Sequence, residues 1–228
     1  MIPLRDSIPS FHRPTIGYTI IGLNVLIFFL ELSMGPQLNE FVQIFGFVPR
    51  YFLVNLSHGN VAASVIPVFT SMFLHGGWLH LIANMWTLYI FGDNVEDTLG
   101  HGKFIVLYLA SGTVAAMAQL LSAPSSVMPM VGASGAIAGV MGAYFSLFPA
   151  ARILTLVPVF FFVIIEIPAY VFLGLWFLLQ FFSGAFSILG QMNVGVAFWA
   201  HVGGFAAGWV FIRLLAPGRS RSPFKTRT

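Results

Sequence analysis

The chain has 228 residues, of which 58% are hydrophobic and only 7% charged, whereas soluble domains carry about 25% charged residues. That balance excludes a water-soluble globule and makes the bilayer the solvent of the fold. The formal charge of +3 comes from basic residues gathered mainly toward the chain ends, a topology signal that sets nucleic acid aside as a partner. The absence of cysteine excludes disulfides, thiolate metal sites and a cysteine nucleophile, and no cofactor or metal is expected.

Residues 1–15 read as a cytoplasmic N-terminal segment with no targeting peptide. The first apolar run, 16–33, has no small-residue cleavage site after it and is followed by further runs, so it reads as a retained span. The connection 34–74 is the longest; its Phe and Pro content predicts short interfacial helices instead of a separate domain. Gly, Pro and charge punctuate the next spans at 78–93, 103–121 and 134–148. The stretch 154–165 is either an interfacial piece or an early start of the fifth span, because periodicity cannot arbitrate where nearly every residue is apolar. Spans five and six are expected at 166–183 and 197–214, and 215–228 reads as a basic cytoplasmic tail. The expected fold is an all-α polytopic membrane protein with a membrane domain over 16–214, built from six helices around a short central fourth.

Orientation follows from the basic residues. Arg5, Arg13, Lys103, Arg152, Arg213, Arg219, Arg221, Lys225 and Arg227 fall on one side of a six-span topology and Arg50 on the other. Both termini are then cytoplasmic, and spans two, four and six are entered from outside. Those spans carry the polar residues of interest.

Span four begins at Gly132-Ala133-Ser134-Gly135 and ends at Pro149. About 15 helical residues cover roughly 22 Å, less than a hydrocarbon core of about 30 Å, so Ser134 is expected beneath the outer surface, facing a wet cavity or a partner. Counted from Asp93 and Arg213, His80 and His201 stand roughly 18 to 20 Å above the cytoplasmic edge, at the same depth. Asn84 follows His80 by one helical turn on the same face. A serine hydroxyl needs a neighbouring base to become a nucleophile, and either histidine can serve. His201 is assigned as the base because His80 pairs with Asn84 in a donor arrangement; His80, Asn84 and the Ser134 backbone N–H then form the oxyanion hole. None of the acids Asp6, Glu31, Glu40, Asp93, Glu96, Asp97 and Glu166 lies in a span at that depth. A dyad without a carboxylate is expected, with packing or an aromatic or backbone contact orienting His201. Gly135, Gly139 and Ala143 on span four, with Ala200, Gly204 and Gly208 on span six, form small-residue stripes that allow close approach of the two helices.

Three motifs, in order, resemble the rhomboid family of intramembrane serine proteases over residues 68–208: His80-Leu81-Ile82-Ala83-Asn84, Gly132-Ala133-Ser134-Gly135 and Ala200-His201-Val202-Gly203-Gly204. The resemblance implies a rhomboid-like six-helix bundle, Ser134 as nucleophile, His201 as base, and His80 and Asn84 in the oxyanion hole. It also implies transmembrane proteins as substrates, cut near the outer end of a helix that has small residues beside the bond and helix-weakening residues within. Two positions depart from the family pattern. Ile66-Pro67 stands where many members carry Trp-Arg before span two, and Ala138 stands where some carry Tyr, which leaves open what packs on the His201 ring.

Taken singly, the same residues have plainer readings. A serine in a span is commonly packing glue, and Asn84 alone is an interhelical hydrogen-bonder, whereas intramembrane histidines are functional candidates by default. His75 reads as structural near the outer interface, His12 and His58 as exposed, and His101 as part of a cytoplasmic turn. Glu96 and Asp97 are expected to anchor span two, Glu166 to start span five and Arg50 to order the first loop. The competing functions are a client-binding pseudoprotease of the same fold, which would lack the serine or histidine, and a channel or transporter, which would show paired intramembrane charges or two similar halves.

Overall fold

Apolar runs bounded by glycine, proline and charge become helices at each of the six expected places. The structure, a computed structural model, describes residues 1–158, 162–189 and 196–216. Strand β1 (Ile2–Asp6) precedes helix α1 (Thr15–Ser33), and three short helices, α2 (Leu38–Phe45), α3 (Pro49–Ser57) and α4 (Val61–Thr70), occupy the long connection as expected. Helices α5 (Trp78–Leu99), α6 (His101–Ser122) and α7 (Ser134–Leu147) follow. Strands β2 (Arg152–Pro158) and β3 (Phe162–Pro168) come next, then α8 (Ala169–Leu189) and α9 (Phe198–Leu215). Most of the tail at 215–228 lies outside the described residues.

Among the described residues, α1, α6, α8 and α9 are each long and apolar enough to cross a membrane. A fifth crossing is reached if α4 with the turn after it, and α5, count as one broken span bent by 82°. The chain is thus a polytopic, mainly helical membrane protein. Helix α7 is short, as its sequence foretells.

The described residues of the stretch 154–165 are strands and not an early start of the fifth span. β2 pairs antiparallel with β3, and β1 pairs antiparallel with β2, giving a three-stranded sheet in the order β1-β2-β3. The cause is local: Ile153, Thr155, Val157, Val163, Ile164, Ile165 and Ile167 are β-branched, and Pro158 and Pro168 interrupt any helix. Ile153 and Thr155, two residues apart, are both fully buried. Glu166 accordingly lies in β3 and does not open a helix; α8 begins at Ala169 and runs past the expected end at 183. The N-terminal segment is tied into the bundle as well, since the Trp86 indole donates to the Pro3 carbonyl (2.7 Å) and Ser7 Oγ accepts from the Arg152 backbone (2.9 Å).

The start of α1 is closed by a carboxylate from distant sequence. No side chain of its own caps α1; instead the buried Glu96 carboxylate accepts from the Ile16 and Gly17 backbone N–H groups at 2.9 and 2.8 Å. Those are donors that no carbonyl of the same helix can reach, and negative charge there also opposes the helix dipole. His101, the first residue of α6, bonds the same carboxylate at 2.5 Å.

Helix α7 runs through the centre, buried continuously from Gly135 to Tyr144. Its stripe of small residues meets that of α9 backbone to backbone. A Cβ added to Gly204 would lie 2.0 Å from the Gly135 carbonyl oxygen, and one added to Gly208 would lie 1.8 Å from the Gly139 oxygen. On the other side, a Cβ on Gly135 would fall 2.6 Å from Ala115 Cβ of α6. Close approach of this kind supplies van der Waals energy where no hydrophobic drive separates helix from lipid.

Candidate functional site

The backbone entering α7 is held from both sides. Met130 pairs with Phe47 across an isolated bridge, and the Gly132 N–H donates to the Ser71 carbonyl at 2.9 Å. Gly132 takes φ +125°, and a Cβ there would sit 2.7 Å from Cε1 and Nε2 of His80. Only glycine satisfies both conditions, which explains its place two residues before the serine. Ser134 is the first residue of α7, so its backbone N–H belongs to the turn that has no intrahelical acceptor.

The close seating of α9 on α7 brings His201 to the serine: His201 Nε2 lies 2.8 Å from Ser134 Oγ. The other ring nitrogen, Nδ1, lies 2.8 Å from Oε1 of Gln180 on α8. Trp176, one helical turn before Gln180, stacks at a tilt on the imidazole with ring centroids 5.8 Å apart. The aromatic contact was anticipated in kind; the amide was not. Gln180 is the single amide side chain of α8, and a long polar side chain inside an otherwise apolar span is the signal that could have found it.

The expected pairing of His80 with Asn84 is replaced by another. Asn84 Nδ2 donates to Nε2 of His75 at 3.1 Å, and the His75 backbone N–H is held by the Glu31 carboxylate at 3.1 and 3.3 Å. His75, expected to be structural near the outer interface, lies against the site and not apart from it, its ring edge-on to His80 at 5.1 Å. The chain turns sharply between α4 and α5, folding His75 back over the first turns of α5; a helical wheel starting at Trp78 has no place for it. His80 Nδ1 faces the Gly76 N–H at 3.4 Å. With Nδ1 as acceptor the ring carries its proton on Nε2, on the side of Gly132.

His80, Asn84, Ser134 and His201 together line one cavity of about 280 Å³, closed by Ser71, Met72 and Gly132 among others. All four candidate residues are therefore assembled at one place. Among the described residues no group of three or more His, Asp or Glu side chains is disposed to hold a metal ion. Of the residues set aside, His58 and His12 are exposed, and His12 pairs with Asp97. Arg50 donates its backbone N–H to Ser126, joining the first loop to the segment before α7.

A family model, the Rhomboid domain, matches residues 62–218. Rhomboid protein 1, mitochondrial, of Saccharomyces cerevisiae is 32% identical over 163 residues, covering 68% of this chain and 44% of that protein. Rhomboid protease GluP of Bacillus subtilis is 33% identical over 132 residues, covering 58% of this chain and 24% of that protein. The human presenilin-associated rhomboid-like protein, mitochondrial, is 31% identical over 138 residues, covering 59% of this chain and 33% of that protein. The chain spans less than half the length of each of these relatives.

Proposed function

The chain belongs to the rhomboid family, and from that premise we propose that it is an intramembrane serine endopeptidase working through a Ser134–His201 dyad. The observation that carries the reading is the 2.8 Å contact between His201 Nε2 and Ser134 Oγ at the wall of a cavity that His80 and Asn84 also line.

His201 takes the Ser134 proton on Nε2 as Oγ attacks the scissile carbonyl. Negative charge then develops on the carbonyl oxygen. The Nε2–H of His80, the second amide hydrogen of Asn84 and the Ser134 backbone N–H are the donors for it, and such groups act most strongly where water is scarce. The imidazolium next passes its proton to the leaving amine, which leaves an acyl-enzyme. Water, deprotonated by the same histidine, completes hydrolysis.

The substrates are transmembrane segments of other proteins. A peptide carbonyl inside a helix is already hydrogen-bonded, so the segment must unwind before it can reach Ser134, which favours cleavage near a helix end with helix-weakening residues. The proteolytic unit is the membrane domain over 16–214, with the connection 34–74 inside it. We place it in the plasma membrane as a multi-pass protein, and the charge count supports residues 1–15 and the basic tail on the cytoplasmic side. The yeast and human relatives are named as mitochondrial, so fractionation of the native cell decides the membrane.

The test is cleavage of a single-span substrate by the purified protein in liposomes, beside Ser134→Ala and His201→Ala. Cleavage by the wild type and by neither variant is expected. Equal cleavage by all three proteins, or none by the wild type over a panel of single-span substrates, would contradict the reading.

A further inference from the structure

Resting on the dyad reading, we infer that Gln180 is a positioning residue for His201, filling with a neutral amide the place that a carboxylate holds in a serine–histidine–acid triad. Gln180 Oε1 lies 2.8 Å from His201 Nδ1, and Ser134 Oγ lies 2.8 Å from His201 Nε2. A neutral imidazole has one N–H, and an amide oxygen can only accept. The proton therefore sits on Nδ1, and the Nε2 lone pair faces the serine, as a general base requires. Without this acceptor the two tautomers compete, and the one with Nε2–H cannot take the Ser134 proton.

An amide suits the location. A carboxylate beside the half-buried ring would have to be stripped of water inside an apolar bundle, at a cost its single partner does not offset. Among the described residues, which include all seven acids of the chain, the side-chain hydrogen bonds of His201 go to Gln180 and Ser134. An amide orients the ring without that cost, and its hydrogen bond strengthens when the ring becomes charged as the serine proton arrives. Trp176 and Gln180, four residues apart on one face of α8, hold the ring plane and the ring edge respectively. The rest of α8 is largely open to lipid: Leu175, Leu178, Leu179, Phe182 and Phe186 are exposed. Helix α8 thus meets the reacting histidine through a narrow face, and its seating sets the tautomer.

The experiment uses the full chain in nanodiscs, labelled with 15N-histidine, as wild type, Gln180→Leu and Gln180→Glu. The His201 signals are identified by their loss in His201→Ala. The wild type is expected to show His201 as a single Nδ1–H tautomer. Gln180→Leu is expected to mix tautomers and to lower kcat by about 10- to 100-fold at unchanged KM, the rate equivalent of one hydrogen bond to a group that becomes charged. Gln180→Glu, whose carboxyl oxygen can accept the same proton, is expected to restore the single tautomer and most of kcat. A Leu variant that keeps the wild-type tautomer overturns the inference, whatever its rate. So does equal loss of the tautomer in the Leu and Glu variants, which would mark a packing role. If the wild type cleaves nothing, the hydrolytic reading fails on its own, and the tautomer comparison still decides the role of Gln180.

Discussion

Gly208→Ala puts the helix seating that makes the dyad to a direct test. A Cβ at this position would lie 1.8 Å from the Gly139 carbonyl oxygen, 2.4 Å from its carbon and 2.6 Å from its Cα. The obstacle is backbone, and a Cβ has no rotamer, so only separation of α9 from α7 relieves it. Restoring ordinary contact requires a shift of roughly 1.5 Å. His201 lies two turns above Gly208 on α9, and Ser134 somewhat over one turn above Gly139 on α7, so the opening reaches the 2.8 Å dyad contact nearly undiminished. A misplacement of about 1 Å costs on the order of 100-fold in rate, and overpacking of this kind costs about 1–3 kcal/mol of stability. The assay is cleavage of a single-span substrate in liposomes together with a thermal midpoint. Gly174→Ala on α8 serves as the control, since a Cβ there meets nothing within 4 Å and a helix-interior alanine gains about 0.5–1 kcal/mol. Wild-type cleavage and an unchanged midpoint in Gly208→Ala would refute the argument that backbone contact sets the dyad.

Gly132→Ala forces φ +125° on a side chain and a Cβ to within 2.7 Å of His80; kcat is expected to fall about 100- to 1,000-fold as an oxyanion donor is displaced, read from steady-state kinetics. Glu96→Ala strips the Ile16 and Gly17 N–H groups and His101 of their acceptor, and a loss of about 2 kcal/mol in denaturation is expected. Asp6, in β1, is pushed up to about 6 by burial, which outweighs the hydrogen bond it accepts from Tyr144, with Asp93 raising it further. The folded chain therefore holds this proton more tightly than the unfolded chain. The Asp6 contribution to stability is largest at low pH, falls as pH rises through about 6, and is level above it. Asp6→Asn is expected to flatten that decline, measured as thermal midpoint against pH.

Positions of the helices were legible because apolar runs cut by glycine, proline and charge leave few alternatives in a bilayer. Ser134, His80 and His201 could be placed at one depth because residue counts from a charged helix end convert to height. The β2–β3 pair was not legible from hydropathy: Ile153 to Ile167 is as apolar as a span, and its β-branched content, with Pro158 inside it and Pro168 just after it, was the signal to weigh instead. Gln180 carries no charge and so gives a weaker signal than an intramembrane acid or base. An uncharged amide costs less to bury and stands out less among Phe and Leu, yet it sits one turn from Trp176 on the face that meets His201. The exchange of His80 for His75 as partner of Asn84 depends on the sharp bend between α4 and α5, which no count along a single helix reveals.

The central claim, that Ser134 is a nucleophile activated by His201, is tested most directly by covalent trapping in liposomes. The protein is treated with a fluorophosphonate, and the modified residue is located by mass spectrometry in the wild type and in His201→Ala. The account predicts one phosphonylated serine, Ser134, with modification slowed by orders of magnitude in the variant. Modification at another serine, or equal rates in both proteins, would contradict it.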